Sequence, residues 1–318
     1  MDRGSDLDTR SVSPSVAKKQ ARLERRMAAL AAREHMSATS PAPDRFRVAT
    51  WNVNSVRARR AALERFLARS EPDVMCLQET KATAIAPEVT EMFERRGYQA
   101  AHVGSGSYNG VAVLSRHPIA VTDASGGLGD EHLDREPRLI SALIDTPEPL
   151  RVTSVYVPHG RTVDHWHFEY KLAFLDGLAA RVAAWVKEGR LLVAGDINVA
   201  PTDSDVFHPD AFVGLTHVTP PERDAWARVL AAGLVDLDVA RWGERARRFT
   251  WWNHGLNYSR NLGMRIDAIA ADPALARYLD TTWIDHVERG MERPSDHAAL
   301  SADFELAAVG LKRSIPEL

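Results

Sequence analysis

Short apolar runs that each close on a polar residue limit what this chain can fold into. Phe46-Arg47-Val48-Ala49-Thr50 leads into Trp51-Asn52-Val53-Asn54. Val74-Met75-Cys76-Leu77 leads into Gln78-Glu79, and Leu191-Leu192-Val193-Ala194-Gly195 into Asp196-Ile197-Asn198. Runs this short read as buried strands, and polar groups at strand mouths are where open sheets hold their ligands. Ser295-Asp296-His297 stands just ahead of the strand candidate Ala298–Phe304, and Asp267 lies in Met264-Arg265-Ile266-Asp267. One Asp after a strand is an ordinary turn residue. Five such places, all acid, amide or His and none with sulfur, point to one oxygen-rich centre. Oxygen ligands select Mg²⁺ or Mn²⁺ over zinc. A carboxylate-held ion beside a histidine is what phosphoester hydrolysis requires.

The spacing of apolar residues predicts strands over Phe46–Trp51, Asp73–Leu77, Tyr98–Val103, Val111–Ser115, Leu139–Ile144, Val152–Val157 and Leu191–Ala194. Further strands are expected over Phe249–Trp252, Ile266–Ala270, Thr282–His286 and Ala298–Phe304. Helices are expected over Ala58–Ala68, Pro87–Arg95 and Pro221–Ala232, and from a cap at Asp164 to about Lys187. Many strands and few long helices predict an α/β fold of mixed sheets covered by helices. No second linker interrupts the body, so residues 45–310 are expected to form one catalytic domain. Residues 1–44 differ. They are rich in Ser, Ala, Arg and Pro, carry a narrow helical stripe over 15–34, and read as a mobile N-terminal extension. A partner-binding or DNA-binding arm is the alternative.

Forty basic against 43 acidic residues announce no nucleic-acid binder, and without the extension the balance is 32 against 37. Any DNA contact must come from a local basic face. No apolar run reaches the roughly 18 residues of a membrane span. The single cysteine, Cys76, excludes an internal disulfide, so a reducing, cytoplasmic setting is expected.

Six segments then carry a family resemblance. Asn52-Val53-Asn54-Ser55-Val56-Arg57-Ala58, Leu77-Gln78-Glu79-Thr80-Lys81, Tyr156-Val157-Pro158, Gly195-Asp196-Ile197-Asn198, Gly263-Met264-Arg265-Ile266-Asp267 and Ser295-Asp296-His297 resemble, in order, the motifs of the exonuclease III family of apurinic/apyrimidinic endonucleases. The resemblance covers about residues 46–305. It implies the endonuclease/exonuclease/phosphatase fold, a four-layer α/β sandwich of two mixed β-sheets packed face to face with helices outside. It implies Glu79 as main metal ligand, with Asn52, Asn54 and Asp296 close by and Asp196, Asn198 and His297 around the ion. Asp196 would polarise the attacking water or assist the leaving group. Asn198 and Tyr156 would hold the phosphate, and His297 paired with Asp267 would orient or activate there. The true base and the number of metals stay open.

Lys81, two residues after Glu79, faces the same side if the chain stays extended, and is expected to screen the carboxylates or touch the DNA phosphate, with a solvated surface lysine as the alternative. His159 follows Tyr156-Val157-Pro158 where relatives often carry an amide, and below about pH 6.5 it would add positive charge. Trp251, Met264 and Ile266 are expected to wall an apolar pocket for a flipped abasic sugar, with a place in the core as the alternative. DNA contacts are expected from Arg57, Arg59 and Arg60, from Arg260 and Arg265, and from the run Arg241, Arg245, Arg247, Arg248, unless that run is a solvated face. His165 and His167, two apart, do not share a helix face and predict no metal site. The implied activity is Mg²⁺-dependent cleavage of duplex DNA 5′ to abasic sites, with 3′-to-5′ exonuclease and 3′-phosphodiesterase action on blocked 3′ ends, by a monomer that Mn²⁺ also serves. A phosphodiesterase of another branch, acting on RNA, phosphoinositide or a lipid head group, is the alternative. A non-catalytic DNA-binding relative would require a broken metal cluster.

Overall fold

In the computed structural model, which describes residues 44–123, 127–253 and 257–311, twelve strands form two six-stranded mixed sheets. One sheet runs β11 (Leu279–Ile284), β12 (Leu300–Glu305), β1 (Arg45–Asn52), β2 (Val74–Gln78), β4 (Val111–Ser115), β3 (Gln99–Val103). The other runs β5 (Ile119–Asp123), β6 (Leu139–Ile144), β7 (Leu150–Tyr156), β8 (Arg190–Asp196), β10 (Asp267–Ala271), β9 (Val235–Asp236). Each sheet has one parallel pair at its centre, β1–β2 and β7–β8, with antiparallel neighbours. Parallel strands end on the same edge. Asn52 therefore pairs with Gln78, and Tyr156 with Asp196.

The central strands are apolar on both faces because both are covered. Cys76 and Val48 point between the sheets, where Val113, Val152, Leu192 and Ile269 also pack. Met75 and Leu77 alternate to the outer face and meet Leu63, Phe66, Met92 and Phe93 of the helices Arg60–Ser70 and Pro87–Arg95. Val155, Leu191 and Val193 of the second sheet meet Phe174, Leu178 and Val182 of the helix Trp166–Trp185, with Trp226 from Pro220–Ala231. The result is a four-layer α/β sandwich. Each of these fully buried side chains contributes roughly 1.5–3 kcal/mol, so Leu178→Ala is expected to cost about 2–5 kcal/mol.

Several boundaries differ from the sequence reading for identifiable reasons. The long helix is capped by His165, whose ring accepts from the His167 amide, and not by Asp164. Phe249–Trp252 is no strand. Trp251 makes isolated bridges to Met264 and His297, and this irregular stretch ties two site segments together. The last expected strands are displaced, with His286 opening a short helix. The edge strands β5 and β9 were not foreseen. The extension of residues 1–44 lies outside the described residues but for Asp44. Among the described residues no helix is long and apolar enough to cross a membrane.

Candidate active site

The ends of β1, β2, β7 and β8 converge on one cavity of about 660 Å³, lined by Glu79, Tyr156, His159, Asp196, Asn198, His217, Trp251, Met264, Ile266, Asp296 and His297 among others. Glu79, Asn54, Lys81 and Asn198 have φ near +50°. L-residues adopt this left-handed region at a cost, and it recurs where side chains must be aimed. Lys81 does reach Glu79, at 2.8 Å, but through this turn and not along an extended chain.

Asn52 is fully buried and organises the acids. Its Nδ2 donates to Glu79 Oε1 at 2.8 Å and to Asp196 Oδ2 at 2.9 Å, while its Oδ1 accepts from the Asn54 amide. Tyr156 also donates to Glu79, at 3.0 Å. Lys81 Nζ donates to Asn54 Oδ1, and Asn54 Nδ2 donates to Asp296 Oδ1 at 3.1 Å. Burial pushes the Glu79 carboxyl up, but hydrogen bonds from Lys81 and Asn52 outweigh it and hold it below the ordinary range. Burial, with the charges of Glu79 and Asp196, keeps the Tyr156 phenol protonated far beyond neutral pH.

A second group centres on His297. Its Nδ1 lies 2.8 Å from Asp267 Oδ2, and its Nε2 lies 3.6 Å from Asp196 Oδ2. Burial opposes the charge on His297, but Asp267 and Asp196 overcome it and push the imidazolium up to about 10. Burial raises the Asp196 carboxyl, and Asp267 adds to the rise against His297.

A hard cation needs ionised oxygen ligands. Ligand atoms of Asp196, Asp267 and His297 lie within 4.8 Å of one another, close enough to share an ion. His297 nevertheless spends Nδ1 on Asp267 at 2.8 Å, so of this trio only its Nε2 would remain for an ion. Asn198 Oδ1 is likewise spent, on His217 Nε2 at 3.1 Å. The oxygens of Glu79 and Asp296 are engaged as well, but Glu79 Oε2 is engaged by the Lys81 ammonium at 2.8 Å, so these two carboxylates, linked through Asn54 and with Asn52 holding Glu79 in place, already draw a positive charge where a divalent cation would sit.

Met264 and Ile266 are buried in the cavity wall, with Trp251 half-buried beside them. Trp251 has a second attachment, its Nε1–H donating to Asp296 Oδ2 at 3.1 Å. His159 lines the cavity, where burial and then the nearby Lys171 charge lower its pKa and so oppose the positive charge expected there in acid. Arg265 is not available to DNA. It is buried between Asp205, at 2.6 Å, and Asp236, at 2.7 Å. Arg248 pairs with Asp238 and stacks on Trp242, Arg247 donates to the Val206 and Phe207 carbonyls, and Arg241 donates to the Asp280 carbonyl. Arg57, Arg245 and Arg260 are exposed, outside the cavity lining.

The residue that sequence reasoning missed is His217. It is buried in the wall, stacks edge to face on His159 at 4.5 Å, and contacts Asn198. Burial, then the charge of Lys171, holds it neutral. Lys171, itself buried, donates to the Asn198 carbonyl at 2.6 Å and pairs with Glu222. No apolar run or acid flanks His217 closely enough to have marked it.

Residues 49–297 match the endonuclease/exonuclease/phosphatase family. The chain is 31% identical to a DNA repair nuclease of Danio rerio over 80% of its length and 81% of the relative's. It is 30% identical to exodeoxyribonuclease III of Haemophilus influenzae, covering 80% of this chain and 98% of that one. Among solved structures, the 3′ phosphatase NExo from Neisseria, bound to a product DNA hairpin, superposes with a TM-score of 0.77 at 32% identity, over 82% of this chain and 99% of that one. An AP endonuclease from Archaeoglobus fulgidus gives 0.76 at 34%, over 81% and 99%.

Proposed function

Because the chain belongs to the endonuclease/exonuclease/phosphatase family, in its exonuclease III and apurinic/apyrimidinic endonuclease branch, we propose that this DNA-repair nuclease is Mg²⁺-dependent and cleaves duplex DNA 5′ to abasic sites and at blocked 3′ ends. The observation that carries this reading is the convergence of Glu79, Asp296, Asp196, Tyr156 and the His297–Asp267 pair on one cavity with an apolar wall. Residues 45–310 would be the catalytic domain.

Glu79 and Asp296 would hold the cation, with Asn52 orienting Glu79. When bound, the ion neutralises phosphate charge. Asp196, its carboxyl raised by burial, would take the proton of the attacking water. His297, held by Asp267 at 2.8 Å and favoured as the imidazolium by the neighbouring carboxylates, would donate to the phosphoryl oxygens. Tyr156, held as the phenol, would supply a further donor by turning its single O–H from Glu79 to the phosphate, and donors of this kind contribute roughly 3 kcal/mol to lowering the barrier. Trp251, Met264 and Ile266 would receive the sugar and exclude water. Arg57, Arg245 and Arg260 remain the arginines that would track the backbone.

Removal of a 3′-phosphate is favoured among these activities by the crowded side of the cavity, where the stacked His159 and His217 rings stand next to Asn198. A terminal phosphate asks for less room than an internal abasic nucleotide. The similar Neisseria protein bears the name of a 3′ phosphatase. Cleavage rates on matched abasic and 3′-phosphate duplexes test both readings. An inositol phosphate beside them separates DNA from the substrates of other branches.

A further inference from the structure

The Asn198 amide is oriented by groups outside its own motif. Its Nδ2 donates to the Val157 carbonyl at 2.9 Å. A carbonyl only accepts, so the nitrogen must face Val157 and the oxygen must face His217 Nε2, 3.1 Å away. An amide oxygen also only accepts. A ring hydrogen of His217 therefore sits on Nε2. The ring is itself held from several sides. It stacks on His159, its backbone amide donates to Glu222 at 2.9 Å, and the preceding Thr216 hydroxyl bonds Glu222 at 2.7 Å. His217 has φ +81°, a conformation that persists in an L-residue only where its surroundings impose it. Asn198 and His217 both line the cavity, and the second Nδ2 hydrogen of Asn198 has yet to be used.

We infer that His217 is a positioning residue whose Nε2–H locks the Asn198 amide so that it presents an N–H, and not its oxygen, to a phosphoryl oxygen of the substrate. This rests on reading the cavity as a DNA phosphodiester site. Without the lock the amide can turn, and its oxygen then meets the anionic phosphate.

Three variants separate the lock from simple packing. His217→Phe keeps a ring without a donor. His217→Asn keeps an amide that is too short to reach, and Asn tolerates positive φ. His217→Gln carries an amide N–H out to about where Nε2 stands. On an abasic duplex and a 3′-phosphate duplex, His217→Phe and His217→Asn are expected to lower kcat roughly 10- to 100-fold, with KM within about threefold. His217→Gln is expected to recover most of that loss. Wild-type kcat in the Phe and Asn variants overturns the inference, as does an equal loss in all three. If His217→Phe does not fold, the Asn and Gln variants carry the comparison. Wild-type protein that cleaves neither duplex refutes the substrate reading instead, and side-chain amide NMR then judges the lock by itself. The Asn198 Nδ2 proton that bonds the Val157 carbonyl should be protected from solvent exchange in wild type and His217→Gln and exposed in His217→Asn. Equal protection in all of them contradicts the lock.

Discussion

Asp196 and Asp267 stand directly opposite each other on the antiparallel pair β8–β10, and the His297 imidazole spans both, 2.8 Å from Asp267 and 3.6 Å from Asp196. Two carboxylates facing each other across a ladder repel. The buried imidazolium compensates and gives the cavity one fixed positive charge beside its acids. His297→Asn removes that charge. It is expected to lower kcat at least about 100-fold with little change in DNA affinity, since the charge serves the developing transition state. Parallel measurement of single-turnover rate and DNA affinity checks this, and a collapse of binding would make His297 a ground-state binder.

Glu79→Gln keeps the shape and the Asn52 and Tyr156 contacts but removes the main anionic ligand proposed for the cation. Activity at low Mg²⁺ should fall by roughly 100-fold or more and return in part at high Mg²⁺ or with Mn²⁺. A metal titration reads this out. Near-normal rates at low Mg²⁺ would remove Glu79 from the metal site.

Trp251 combines an apolar wall with a hydrogen bond to Asp296, so two substitutions are needed to separate these roles. Trp251→Phe loses only the bond and should raise the Mg²⁺ requirement while keeping substrate preference. Trp251→Ala also opens the wall. It should shift the ratio of abasic to intact-nucleotide cleavage by roughly 5- to 30-fold, equivalent to about 1–2 kcal/mol. An unchanged ratio with a large fall in melting temperature would leave Trp251 in a core role.

Acid should destabilise the fold before the carboxylates titrate. Burial pushes His102 down to about 4, and its Nε2 contacts Thr80 Oγ1 at 2.9 Å. Below pH 6.5 the unfolded chain binds a proton that the native state refuses, so stability is full above that pH and declines toward pH 4. This group adds a slope of at most about 1.4 kcal/mol per pH unit, reduced by its partial exposure. Denaturant midpoints of wild type and His102→Gln between pH 4 and 7 should converge at high pH after correction for the substitution itself, with the variant showing the shallower acid limb. Parallel limbs would place the protonation elsewhere.

Val111–Ser115, Leu139–Ile144 and Pro87–Arg95 were legible to the residue, because burial on both faces of a central strand and Pro at a helix start leave an unambiguous pattern. Ile119–Asp123 was missed, an edge strand with exposed Val121 and Thr122 and so no sustained apolar signal. The acids and amides at the strand ends were legible because local motifs carry them. Arg265 was misread because its partners Asp205 and Asp236 are distant in sequence and only the fold brings them beside it. His217 went unmarked for the same reason, since its meaning lies in Asn198 and His159, which arrive from other loops.

The most direct measurement follows purified full-length protein on matched duplexes carrying an internal abasic site, a 3′-phosphate or neither, with Mg²⁺ and with EDTA. The account predicts incision 5′ to the abasic site and release of the 3′-phosphate, both abolished by EDTA and restored by Mg²⁺, with the Glu79→Gln protein inactive at low Mg²⁺. Undiminished cleavage in EDTA, or no cleavage of either damaged duplex in Mg²⁺, would contradict it.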